Sequence, residues 1–149
     1  MAYDRMDWHY GAEDFPTTLD SKAGGTHIGM FLAWAIHNDL VGDFHTQQSI
    51  ESLQKVKDRK MTGAEFLQKE CDEKFWEEDL SDIGSEFASH YYESNAYFGD
   101  YESVLGKDLP SLYHVDDSWE NFDTISKTIS QKFYQWKDSY NKKWWEFWK

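Results

Sequence analysis

The stretch THIGMFLAWAI, residues 26–36, limits the fold more than any other part of this 149-residue chain. Ile28, Phe31, Leu32, Ala35, Ile36 and Leu40 recur at the i, i+3, i+4, i+7 spacing of a helix, while Met30 and Trp34 fill the other side. A helix that is apolar nearly all round must be enclosed by its neighbours, so this segment predicts the centre of the fold. Thr26 stands where an N-cap hydroxyl belongs.

The remaining periodic stripes are amphipathic. Ile50, Leu53 and Val56 form one, ending in the basic run KVKDRK, which suits a helix C-terminus. TGAE at 62–65 has capping-box spacing and opens a stripe of Phe66, Leu67, Cys71 and Phe75. Leu80, Ile83, Phe87 and Tyr91 form the next, with a break near Ser94–Asn95. Asp117 and Glu120 have capping-box separation before a seam of Trp119, Phe122, Ile125, Ile129, Phe133 and Trp136. No segment alternates with strand period. The expected architecture is all-α: a compact bundle of five or six helices after an irregular N-terminal segment. One domain is expected over 1–140, with 141–149 as a Trp- and Lys-rich extension of the last helix.

Composition narrows the partners. A formal net charge of −13 repels phosphate backbones and anionic headgroups, which argues against nucleic acid and membrane and for a basic protein partner. The single cysteine, Cys71, excludes an intramolecular disulfide and fits a reducing compartment. The opening MAYDRMDWHYGAEDF has no basic region followed by an apolar one, so the expected location is cytoplasmic. Trp144, Trp145, Phe147 and Trp148 near the C-terminus could pack on the domain or on a second copy.

Acidity is densest over residues 70–86, which reads either as the solvated face of an amphipathic helix or as a negative surface that docks a basic protein. Its contact residues would be Glu70, Asp72, Glu73, Glu77, Glu78, Asp79, Asp82 and Glu86, with Phe75 or Trp76 as the aromatic anchor. His27 reads as a buried anchoring histidine whose ring bonds Asp7. The alternative is a small-molecule or catalytic pocket near Asp7, His9 and His27. No cofactor or metal is expected: the six histidines include no H-x-x-x-H pair, and phosphate loops are absent. Glu86, His90 and Glu93 could share a helical face but lack the second cluster of a di-iron bundle. Cys71, on its apolar stripe, reads as an inert core thiol.

Asp7, Trp8 and His9, followed by T-H-I-G-x-F-L-x-W carrying Thr26, His27, Gly29 and Trp34, resemble an uncharacterised family of small acidic bacterial cytoplasmic proteins. The late stretch YHVDDSWENF extends the likeness, which covers most of residues 3–136. Such proteins look like the immunity partners of polymorphic toxins. The resemblance implies a non-enzymatic toxin inhibitor and supplies no catalytic residue. A self-associating helical scaffold is a further alternative.

Overall fold

Helix α2 (Thr26–His37) is the axis around which the chain closes: every residue from Thr26 to Ile36 is buried. The computed structural model describes residues 2–147, with side chains described to residue 140. Its elements run β1 (Ala2–Arg5), α1 (Asp7–Tyr10), α2, α3 (Asp43–Gln48), α4 (Ile50–Lys57), α5 (Gly63–Glu70), β2 (Lys74–Trp76), α6 (Asp82–Tyr91), α7 (Ala96–Val104) and α8 (Trp119–Phe147). Short 3₁₀ turns occupy Ser21–Gly25, Glu77–Asp79 and Leu112–His114. The fold is mostly helical, but among the described residues eight α-helices and a two-stranded sheet stand where five or six helices alone were expected.

Neighbours cover α2 on every side. Helix α5 crosses so closely that a Cβ added to Gly63 would lie 1.7 Å from the Gly29 carbonyl oxygen. Trp34 Nε1 donates to Ser130 Oγ at 2.9 Å, joining α2 to α8. Phe31 packs against Phe75, Phe87, Tyr92 and Tyr97, and its burial stabilises by roughly 1.5–3 kcal/mol. The α8 seam holds as expected, with Phe122, Ile125, Ile129 and Phe133 buried.

The N-terminal segment is irregular only in part: β1 and α1 precede turns and bends over 11–20. Strand β1 pairs antiparallel with β2, Asp4 opposite Phe75 and Arg5 opposite Lys74, and α1 follows at once. Both strands are too short for alternation to register. Between α5 and β2 the chain reverses through Asp72 and Glu73, at φ 53° and 64°, a left-handed pair that no helix accommodates. The acidic run is therefore not one helix; it is the end of α5, a reversal, a strand, a 3₁₀ turn and the start of α6.

Several local expectations shift. Thr62 and Glu65 do form the capping box of α5, each bond 3.1 Å. Thr26, by contrast, is the first residue of α2 and makes no cap bond; Gly25 stands at the cap. At α8 it is Ser118 Oγ, not Asp117, that accepts from Asn121 N–H. Ile50 is 63% exposed, because the stripe of α4 faces inward through Leu53 and Val56. Cys71 caps the C-terminus of α5, and Phe75 lies in β2. Glu93 falls beyond the end of α6, off the face of Glu86 and His90. The rings of Trp144, Trp145, Phe147 and Trp148 lie outside the described side chains.

Candidate functional site

Asp4 is the point where four elements are tied together. Strand β1 turns it inward, leaving it 3% exposed, and both carboxylate oxygens are filled. Oδ1 accepts from the Arg5 backbone N–H at 2.8 Å and meets His9 Nε2 at 2.7 Å. Oδ2 accepts from the Tyr92 hydroxyl at 2.5 Å and meets His27 Nε2 at 3.2 Å. The two Nε2 atoms are themselves 3.2 Å apart. Thus β1, α1, α2 and the residue capping α6 all meet at one carboxylate.

A second layer fixes the rings. His9 Nδ1 lies 2.7 Å from the Tyr113 hydroxyl, and Tyr97 donates to the His27 carbonyl at 2.5 Å. Phe98 and Tyr101 pack against the His27 ring. His27 Nδ1, fully buried, has no partner among the described residues.

The electrostatics follow from burial. Desolvation alone would raise Asp4, but hydrogen bonds from His27 and His9 outweigh it and hold the carboxyl well below the usual carboxylate range. Burial pushes His27 down against the pull of Asp4, which favours the neutral ring. Burial pushes Tyr92 up, and the neighbouring Asp4 charge adds to it. Tyr113 is raised to about 12, by burial first and then by Asp14 and Asp4. Of Asp4, His9 and His27, only His9 keeps appreciable side-chain surface, at 14%. Two imidazoles and a carboxylate could pass a proton or hold a cation, but a substrate could touch only the His9 edge in this conformation.

This corrects the expected acceptor of His27. Asp7 is exposed and bound to the Arg5 guanidinium at 2.7 Å, while Trp8 is 53% exposed. Asp4 was missed, since one acid in a four-residue strand gives no hint of partners 23 and 88 positions away. Of the other motif residues, Thr26 and Trp34 are buried, and a Cβ on Gly29 would sit 2.2 Å from the Ala64 nitrogen.

The expected docking acids divide into two groups. Asp79 is buried; it meets His45 Nε2 at 2.7 Å and accepts from Trp76 N–H at 2.7 Å. Glu70 is half-buried and accepts from Ser49 and Ser52. Both belong to an internal network, with Cys71 Sγ 3.6 Å from Asp79 and 3.7 Å from His45. Burial and the Asp79 charge push the Cys71 thiol far up, as an inert core thiol requires. Phe75 is fully buried and cannot anchor a partner. Asp72, Glu77, Glu78, Asp82 and Glu86 remain exposed, Glu73 is half-buried and Trp76 is 37% exposed; Glu77, Glu78, Asp82 and Glu86 line one surface depression.

Among the described residues, no helix is long and apolar enough to cross a membrane. No curated protein and no solved structure matches the chain. The family model described as a domain of unknown function, DUF7832, matches residues 2–115. That span takes in β1 through the turn at Leu112–His114, and with it the Asp4 network and the acidic corner. The chain belongs to the DUF7832 family.

Proposed function

We propose that this protein is a non-enzymatic immunity protein that neutralises a toxin by docking its basic surface on the acidic corner built from β2, the turn at Glu77–Asp79 and the start of α6. The observation that carries the reading is the acidic depression lined by Glu77, Glu78, Asp82 and Glu86, which directly follows a Trp76 that is 37% exposed. A single-sign depression next to an aromatic residue suits an oppositely charged partner, because the ring supplies buried area and the acids speed encounter. Asp79 serves this surface from beneath by holding the Trp76 backbone, and the net charge of −13 adds long-range steering.

The test begins with the purified protein as bait for basic toxin domains from its host, followed by titration of the captured domain's activity. Inhibition should saturate at one inhibitor per toxin, with an on-rate that falls steeply between about 0.05 M and 0.5 M salt. A variant carrying Glu77→Lys, Glu78→Lys and Asp82→Lys should bind at least about 10-fold more weakly, as should Trp76→Ala. An inhibited toxin that binds all these variants as tightly as the parent would remove the corner from the proposal.

A further inference from the structure

We propose that Asp4, His9 and His27 bind a divalent transition-metal cation, zinc above all, as a two-histidine, one-carboxylate site. The site uses none of the acidic corner's residues and stands independently of the docking proposal.

Its first support is charge. Asp4 is buried, yet among the described residues it meets no lysine or arginine side chain; the Arg5 guanidinium is turned away onto Asp7. A buried carboxylate without a cation beside it is costly, so the positive charge must come from a protonated imidazole or from a bound cation.

The second support is the placement of the two imidazoles. Both Nε2 atoms are aimed at Asp4 and lie 3.2 Å from one another. If each carries a proton toward the carboxylate, two like N–H dipoles crowd together. One cation in place of the two protons attracts both nitrogens and the carboxylate. Ligand atoms about 2.0–2.1 Å from a tetrahedral zinc stand about 3.3 Å apart. The observed separations are 2.7 Å from His9 Nε2 to Asp4 Oδ1, 3.2 Å from His27 Nε2 to Asp4 Oδ2 and 3.2 Å between the two nitrogens, so the carboxylate would face the cation with both oxygens. Two imidazoles and one carboxylate also form a borderline donor set.

Outer contacts of the kind metal ligands use are in place on His9 and Asp4, while His27 Nδ1 has none among the described residues. Tyr113 holds His9 Nδ1, while Tyr92 and the Arg5 N–H orient the carboxylate from positions that metal binding leaves intact. Three protein ligands leave one coordination position, and because His9 alone reaches the surface, access lies on its side.

The other buried group of potential ligands, His45, Cys71 and Asp79, differs in the decisive respect. It offers one imidazole rather than two, and all three of its residues are buried, whereas the Asp4 group reaches the surface at His9.

The test uses the full-length protein, stripped with a chelator and titrated calorimetrically with Zn²⁺, then with Co²⁺ as a spectroscopic probe. One equivalent of zinc should bind per chain. The cobalt form should show visible bands of low-symmetry nitrogen and oxygen ligation and no thiolate charge-transfer band. His9→Gln, at the most exposed ligand, should weaken binding about 100-fold or more; Tyr113→Phe, a positioning change, should weaken it about 10–100-fold. Cys71→Ser should leave affinity unchanged. Absence of stoichiometric uptake by the folded protein would overturn the proposal. A thiolate band, or binding lost in Cys71→Ser but kept in His9→Gln, would overturn it equally by moving the cation to the other cluster. The cobalt spectrum of the parent protein decides the question even if a ligand variant fails to fold.

Discussion

Gly29 and Gly63 meet backbone to backbone where α2 crosses α5, leaving no room for a methyl group on either side. An added Cβ would stand 2.2 Å from the Ala64 nitrogen in one case and 1.7 Å from the Gly29 oxygen in the other. Such contacts force the helices apart. Gly29→Ala and Gly63→Ala should each cost about 3 kcal/mol or more in urea denaturation, the upper end of overpacking effects. Gly99 provides the opposite sign. It lies within α7 with nothing near its missing Cβ, so Gly99→Ala should stabilise by about 0.5–1 kcal/mol.

Asp4 and Tyr92 make a second prediction. Tyr92→Phe removes the hydroxyl bonded to a charged, buried acceptor and should cost about 1.5–3 kcal/mol. Asp4→Asn keeps the shape but replaces an acceptor oxygen with a donor facing imidazole or phenol. Its cost should reach about 3–5 kcal/mol, as when one member of a buried charged network is removed. Denaturation of the metal-stripped protein, so that ligation does not contribute, measures both. A loss below about 1 kcal/mol for Asp4→Asn would mean the network does not organise the core.

The tyrosines give a pH dependence. Tyr91, Tyr92, Tyr97 and Tyr101 are each pushed above the ordinary value, by burial first and then by neighbouring Asp4, Asp100, Asp117 or one another. A phenol raised in the folded state favours the protonated form there. The stability it contributes is complete below the unfolded value near 10 and declines as pH rises beyond it. Ultraviolet titration of the native protein at about pH 11 should leave these four and Tyr113 largely un-ionised, five of the nine tyrosines, and denaturant should release all five.

Cys71 is tested by its reactivity. It is 8% exposed, its thiol is raised by burial and by Asp79, and it caps α5 inside the fold. A thiol-labelling reagent should react with the native protein at least about 100-fold more slowly than with the unfolded chain, because labelling requires both opening and deprotonation. Equal rates would show that the turn between α5 and β2 opens freely.

The helical parts of the fold were legible in the sequence because their signals are local. The apolar run of α2, the capping box at Thr62 and Glu65, the break near Asn95 and the α8 seam each lie within a few turns of chain. The sheet was not legible: three-residue β2 carries no period, and its partner lies about seventy positions earlier. The acidic run misled because charge density concealed the left-handed pair at Asp72 and Glu73. His9 and His27 stood out as a motif, but the acid between them did not. Asp7 was nearer in sequence and equally acidic, and only the inward turn of β1 selects Asp4. Burial of Asp79 and of Phe75 was hidden for the same reason, since both depend on that pairing.

Asp4 has a consequence for the order in which the protein can be made. A ribosome releases the first strand early, yet its ladder partner at 74–76 and its phenol partner at 92 follow much later. At about 5–20 residues per second, the opening residues wait several seconds in the exit vestibule with an unpaired strand edge and an uncovered carboxylate. The Asp4 network therefore closes only once residue 92 has been made.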